Sequence, residues 1–386
     1  MGKWIHPEPA LDPSHNPREP LTDDQVRSWR EAGFALVEGL VPLDLIARAR
    51  SEAVAHFPPP GSPLSEQITD FGSQGLMEFP TPSDALNEIT LHPRLLSAAT
   101  QLLGIRNEDL RLTQSEAWPK YGRKKNAGGA MDNNDQRIHI DYPNHSLAHP
   151  AEWENPESVA VIAYFDRVED VGGATQVVPR SGPDDPAYRG PLVRSPGIGG
   201  IPFVNNREQA EASLGESHPE LAHWRREHLY PKARSARFGP GTFLFYRHDV
   251  WHRGTPITEG AMRLAHNISF RRSDCEWIST VHKGWAWSMY ASNHVMERLI
   301  ARGSVQQRCA LGFPEPGHPY WTRATLDAVR ARFDFEDMDM APYEAGLGSR
   351  APTATAALDQ LRNENQRLRR ENERLSRQLE SSSKSG

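Results

Sequence analysis

Two different periods of hydrophobic and polar positions divide the chain. Between Leu21 and Gly104 apolar residues recur mainly at helical spacing, whereas from about residue 111 to 270 they fall into short alternating or β-branched runs. In the first region LTDDQVRSWREAG opens on Thr22, carries acids in its first turn and closes on Gly33, which predicts a short helix with Thr22 as its N-cap. FALVEGLV predicts a strand directly after it. A second helix is expected from about Pro42 to Phe57, where FPPPG stops it because proline has no amide to donate and clashes inside a helix. HPRLLSAATQLLG predicts a third, ended by Gly104.

In the second region RLTQSEAW, RIHIDY, SVAVIAYF, ATQVV, TFLFY and RLAHNISF are separated by Gly, Pro and Asn, the pattern of an antiparallel barrel or sandwich. SGPDDPAYRGPLVRSPGIGGIP interrupts them. So long a Gly- and Pro-rich connection is uncommon in a compact domain unless it covers a site, so residues 182–202 are a candidate lid. Helical spacing returns over 285–302 and 321–333. At the far end LDQLRNENQRLRRENERLSRQLE sets Leu361, Leu368 and Leu375 seven apart, with Leu358, Asn365, Asn372 and Leu379 on the companion positions. Asparagine there favours a parallel two-stranded register, which predicts a homodimeric coiled coil; a single charged helix is the alternative. The expected organisation is a flexible leader over 1–20, one large domain over 21–336, a linker over 337–356, the coil over 357–380 and a disordered tail over 381–386.

Charge changes this picture little. The 44 basic and 50 acidic residues of the 386 leave a net −6 with no long basic block, which argues against nucleic acid or an anionic membrane as partner. The two cysteines, Cys275 and Cys309, are not in a paired spacing, so neither a disulfide framework nor a zinc ribbon is expected. MGKWIHPEPALDP has no apolar segment of an export signal, and no apolar run nears the roughly 18 residues that span a bilayer. A cytoplasmic location is the expectation.

Candidate chemistry begins at His139-Ile140-Asp141. On a strand residues i and i+2 share a face, so an imidazole and a carboxylate point at one spot. Alone the triplet says little: 16 histidines, with Asp at roughly one position in twenty, give about one His-x-Asp by chance. GPGTFLFYRHDVWHRGTPITEGAMRLAHNISF adds His252 and, eleven residues on, Arg263. Two histidines and one carboxylate on one face of Fe(II) leave three positions open, two for a chelating 2-oxo acid and one for O2. The far carboxylate of such an acid needs a fixed, always-charged bidentate donor, and Arg263 suits that role. His248 precedes His252 by four residues and is the weaker ligand candidate. Gln114 and Lys120, on or just after the preceding strand, are candidates to reach the acid, or they are ordinary solvated groups. Gly172 and Gly173 are expected in a tight turn, and loop histidines His145 and His149 face either substrate or solvent.

HID at 139–141, GGATQVVPRS at 172–181, DVWH at 249–252 and Arg263 together resemble the phytanoyl-CoA dioxygenase family, and the likeness extends from about residue 21 to 300. LTDDQVRSWREAGFALVEGLV and the HPRLLSAATQLLG helix resemble that family's entry elements. The resemblance implies a mainly β fold with flanking helices, built on a double-stranded β-helix (a cupin-like jelly roll). It also implies Fe(II) as cofactor, with 2-oxoglutarate and O2 as co-substrates. Decarboxylation of the keto acid to succinate and CO2 would be coupled to hydroxylation of an unactivated C–H bond in a small-molecule substrate. It places the iron ligands on His139, Asp141 and His252 and the 2-oxoglutarate arginine on Arg263. Ser269, on the same strand face as Arg263, resembles a position that assists carboxylate binding. Related halogenating enzymes carry a small residue in place of Asp141, so its retention implies hydroxylation. Desaturation, cyclisation and a ligand-binding scaffold without turnover stay open. Gly182 departs from the histidine common in the family, so the substrate does not carry over. Arg123, Lys124 and Lys125 permit an anionic substrate without requiring one, and KGWAWSMY at 283–290 lines the pocket or packs the core.

Overall fold

A computed structural model describes residues 4–14, 18–68, 76–123, 135–141, 153, 156–189, 203, 205–275, 295–318, 321–333 and 336–347. The entry elements follow from local chemistry. Thr22 accepts from the Gln25 amide (3.2 Å) while Gln25 Oε1 accepts from the Thr22 amide (2.9 Å), a capping box that starts helix α1, Asp23–Glu31. Strand β3 is Phe34–Glu38 and helix α2 is Leu43–His56. Helix α3, Asp84–Thr90, was not anticipated, although Ser83 caps it through the Leu86 amide. Helix α4, Pro93–Leu103, begins on the proline that tolerates a helix start and ends at Gly104, whose φ of +66° lets the chain reverse.

Strand β5 is Leu110–Tyr121, β6 is Ser158–Tyr164, β9 is Phe243–Tyr246 and β11 is Met262–Arg272. Together with the short strands β2 (Glu8–Pro9), β3 and β4 (Met77–Glu78), they form a seven-stranded sheet in the order β2-β3-β9-β6-β11-β5-β4. A smaller sheet has the order β1-β8-β7-β10, from Trp4–Ile5, Arg234–Ala236, Thr175–Val177 and His252–Gly254. All pairings are antiparallel except β1 with β8 and β2 with β3. One buried cluster joins Leu36, Ile162, Tyr164, Leu244 and Ala265 of the large sheet to Val177 and Ala236 of the small one. The two sheets therefore face each other across a shared core, with helices flanking them.

Three expectations need correction. Residues 137–141 form no strand: among the described residues His139 makes an isolated antiparallel bridge with His252, and Asp135 a parallel one with Asn206. Leader residues 4–9 are not loose, since β1 and β2 extend the two sheets by parallel pairing. The boundary between two compact units also falls inside the expected 21–336 domain, one unit being 1–296 with 309–312 and the other 297–308 with the residues from 313 onward. In the second unit Phe313, Trp321 and Tyr343 pack ring on ring, and the buried Arg308 donates to the Ile300, Ala301 and Asp339 carbonyls. The expected linker contains a helical turn, Ala341–Ala345. Of the candidate lid, Gly182–Arg189 is a turn leading into a short helix, Pro186–Arg189. Its buried Asp185 accepts from the Ser181 amide (2.8 Å) and Lys232 (2.5 Å), so that despite burial its carboxyl lies at about 2. Residues 190–202, His145, His149, Lys124, Lys125, the KGWAWSMY stretch and the coil over 357–380 lie outside the described residues. Among the described residues no helix is long and apolar enough to cross a membrane.

Candidate metal centre

His252 opens β10, which the antiparallel pairing of Val177 with His252 fixes in the small sheet. The reciprocal amide–carbonyl bonds of His139 and His252, each 2.9 Å, set the two imidazoles side by side with ring centroids 4.4 Å apart. The Asp141 amide donates to the His248 carbonyl (3.0 Å), which turns its carboxylate toward them. Oδ1 is then 3.5 Å from His139 Nε2 and Oδ2 is 3.2 Å from His252 Nε2. One donor atom from each of the three lies within 4.8 Å of the others. Each Nδ1 faces a backbone carbonyl at 3.0 Å, Arg137 for His139 and Val250 for His252. A carbonyl can only accept, so both Nδ1 atoms carry protons and both Nε2 lone pairs point at the cluster. This donor set fits Fe(II) or a similar divalent transition ion.

Electrostatics agree with that fit. Burial, and then the neighbouring His252, push the His139 pKa well down, so its imidazole is neutral. Burial also disfavours charge on His252, but the Asp141 carboxylate outweighs it and holds His252 above its ordinary value. A divalent cation at the centre would compete with any proton on the His252 imidazole, because only the neutral ring can ligate. Tyr246 donates to Asp141 Oδ2 (2.9 Å), and burial first, then the Asp141 charge, keep it a phenol.

The three donors open into a cavity of about 450 Å³, adjoining solvent included, whose lining also contains Lys120, Arg263, Thr175 and Trp118. Arg263 is 2% exposed and lies over the Tyr164 and Phe238 rings at 5.8 and 6.0 Å. It donates Nη1 to the Gly173 carbonyl, its Nε has no hydrogen-bond partner, and it forms no ion pair among the described residues. Lys120 is its cross-strand partner in the β5–β11 register. Burial, then the Arg263 charge, push Lys120 down to about 7. Two inward-facing cations beside a metal donor set make this end of the cavity a receptor for an anion.

Gln114 and Ser269 are elsewhere. Their parity puts them on the inward face, but six residues along a strand is about 20 Å, and they do not line the cavity. Ser269 instead donates to Gln114 Oε1 (2.9 Å) and lies 3.3 Å from His248 Nε2. His248, bonded to Ser158 (2.8 Å), stands outside the donor cluster. Gly172 and Gly173 have φ +67° and +65°, Gly172 capping the short helix Val168–Val171 and bridging to Ile257, and Thr175 reaches the cavity. Sequence reasoning missed Tyr246 and Gln136, which donates to Asn205 and accepts from the Gly254 amide. Tyr246 carried a signal: it ends the FLFY strand just before the DVWH motif.

No protein-family model matches the sequence, and no curated protein does. Among solved structures, the chain is similar to the non-heme alpha ketoglutarate dependent carbocyclase SnoK from nogalamycin biosynthesis. That match has 15% identity and a TM-score of 0.46, and covers 71% of this chain and 92% of that one. It is also similar to EvdO2 from Micromonospora carbonacea var. aurantiaca complexed with 2-oxoglutarate (15%, TM-score 0.44, covering 66% and 93%). A third is EctD from S. alaskensis in its apoform (14%, TM-score 0.42, covering 70% and 82%). The resemblance to phytanoyl-CoA dioxygenases rests on the motifs themselves.

Proposed function

We propose that this chain is an Fe(II)- and 2-oxoglutarate-dependent oxygenase on a double-stranded β-helix core, hydroxylating a C–H bond of a small-molecule substrate. The observation that carries the reading is the cavity that joins His139, Asp141 and His252 to the buried guanidinium of Arg263, which has no carboxylate partner among the described residues. His139 and His252 would hold iron through Nε2 and Asp141 through its carboxylate, which Tyr246 also holds. Bound there, iron with the keto acid supplies the two-electron activation of O2 that splits the keto acid to succinate and CO2. Arg263, held by Gly173 and by the faces of Tyr164 and Phe238, would orient the distal carboxylate, and Lys120 would add a second positive charge. The retained Asp141 favours hydroxylation, because a carboxylate occupies the position that a halide would need.

Anaerobic titration of the apo-protein with Fe(II) and 2-oxoglutarate tests this. A weak visible charge-transfer band is expected in the wild type and is lost in His139→Ala and in Arg263→Ala. A folded wild-type protein that forms no such chelate overturns the assignment and favours a binding scaffold without turnover.

A further inference from the structure

His139 sits in a segment with no ladder of its own. Its amide and carbonyl are used by the bridge to His252, so the amide and carbonyl of Ile138 point to the opposite side, where no strand pairs with them. Side chains take that place. Helix α5, Arg207–Ser217, and helix α6, Pro219–His228, pack as a hairpin whose Arg225 is 1% exposed. Arg225 donates Nη2 to the Ile138 carbonyl (2.7 Å), and the Ile138 amide donates to Tyr230 Oη (3.3 Å). Glu211 joins the two: its carboxylate accepts from Arg225 Nε (3.0 Å) and Nη2 (2.7 Å) and from the Tyr230 hydroxyl (2.5 Å). Ile138 and Ile140 are further packed with Leu229 and Trp251, the residue before the other histidine.

We infer that Glu211, Arg225 and Tyr230 are positioning residues that stand in for a missing edge strand and hold the backbone of Ile138, and through it the His139 imidazole, in register with His252. The inference rests on the oxygenase reading, since it gives the hairpin the task of presenting a metal ligand. None of the three lines the cavity, so their effect reaches the metal only through His139. Hydrogen-bonded groups behind metal ligands commonly change metal affinity ten- to a hundredfold when removed. The ion pair suits the task, because Nε and Nη2 both converge on Glu211 Oε1 and leave the second Nη2 hydrogen for the Ile138 carbonyl.

The test uses the full chain, with Co(II) as a spectroscopic probe and Fe(II) affinity measured by competition. Tyr230→Phe removes one hydroxyl with little change of volume, and Arg225→Lys keeps the charge but loses the Nε donor, the planar fork and about one bond length of reach. Weakening of about tenfold for both metals is expected in each, with altered Co(II) ligand-field bands. Arg308→Met, which removes an equally buried arginine remote in sequence from the donor set, is expected to lower Tm and leave affinity and bands unchanged. Wild-type affinity and bands in folded Tyr230→Phe and Arg225→Lys overturn the positioning role while the oxygenase reading stands. Failure of the wild type to bind either metal removes both.

Discussion

At the residue scale the charges in the cavity decide most of the behaviour. Lys120 has a folded pKa of about 7 against 10.5 for a free lysine. Between those values the unfolded chain holds the proton and the folded chain does not, so rising pH favours the folded state and acidification below 7 leaves the full penalty in place. A dianion bound beside Lys120 relieves that penalty by restoring its charge. Binding of 2-oxoglutarate at pH 8 is therefore expected to take up a proton, visible as a buffer-dependent enthalpy in calorimetry and absent in Lys120→Met. Equal uptake in that variant would place the proton elsewhere. The centre itself shows how little of a ligand is specified by its own identity. His139 and His252 are usable because Arg137 and Val250 carbonyls occupy their Nδ1 atoms, and Tyr246 holds the Asp141 carboxylate.

At the scale of elements, β11 and the turn before β7 together carry the anion end. Gly173 has φ +65°, and a Cβ there would lie 2.1 Å from Ile257 Cδ1 and 3.4 Å from Arg263 Cδ. Its carbonyl also receives Arg263. Gly173→Ala is expected to cost about 1–2 kcal/mol for the left-handed backbone alone, with the clash added. It should also weaken 2-oxoglutarate binding at least as much as it shifts Tm. A loss of stability with unchanged 2-oxoglutarate affinity would show that Gly173 does not set the arginine. The strands were legible where one period dominated: Leu110–Tyr121, Ser158–Tyr164, Phe243–Tyr246 and Met262–Arg272 all match runs with alternating or β-branched character. RIHIDY reads equally well as a strand, and residues 137–141 are not one, because their two sides are held by single bridges and side chains rather than by a continuous ladder. Parity along β11 groups Ser269 with Arg263. It gave no measure of distance, and so Ser269 ended with Gln114 and His248.

For the whole molecule, the heptads over 357–380 lead us to propose a homodimer. Deleting that segment is expected to halve the mass in solution while leaving Fe(II) binding intact, as light scattering after size exclusion would report. An unchanged mass would remove the coil as the dimerising element. The leader illustrates a non-local effect: its sequence has no periodicity, yet Trp4–Ile5 and Glu8–Pro9 pair with Ser235–Ala236 and Val37–Glu38 because those strands offer free edges. What the sequence determined by itself was local or one-dimensional: capped helices, strand faces, and the types and order of His139, Asp141, His252 and Arg263. What only the tertiary structure decided was proximity. It brought Lys120 beside Arg263 while leaving Ser269 apart, recruited Tyr246 to Asp141, and closed the edge of the His139 segment with Glu211, Arg225 and Tyr230. Such contacts join residues tens of positions apart through packing of the two sheets and the helical hairpin, and nothing in the local spacing of a chain encodes which distant polar groups will meet.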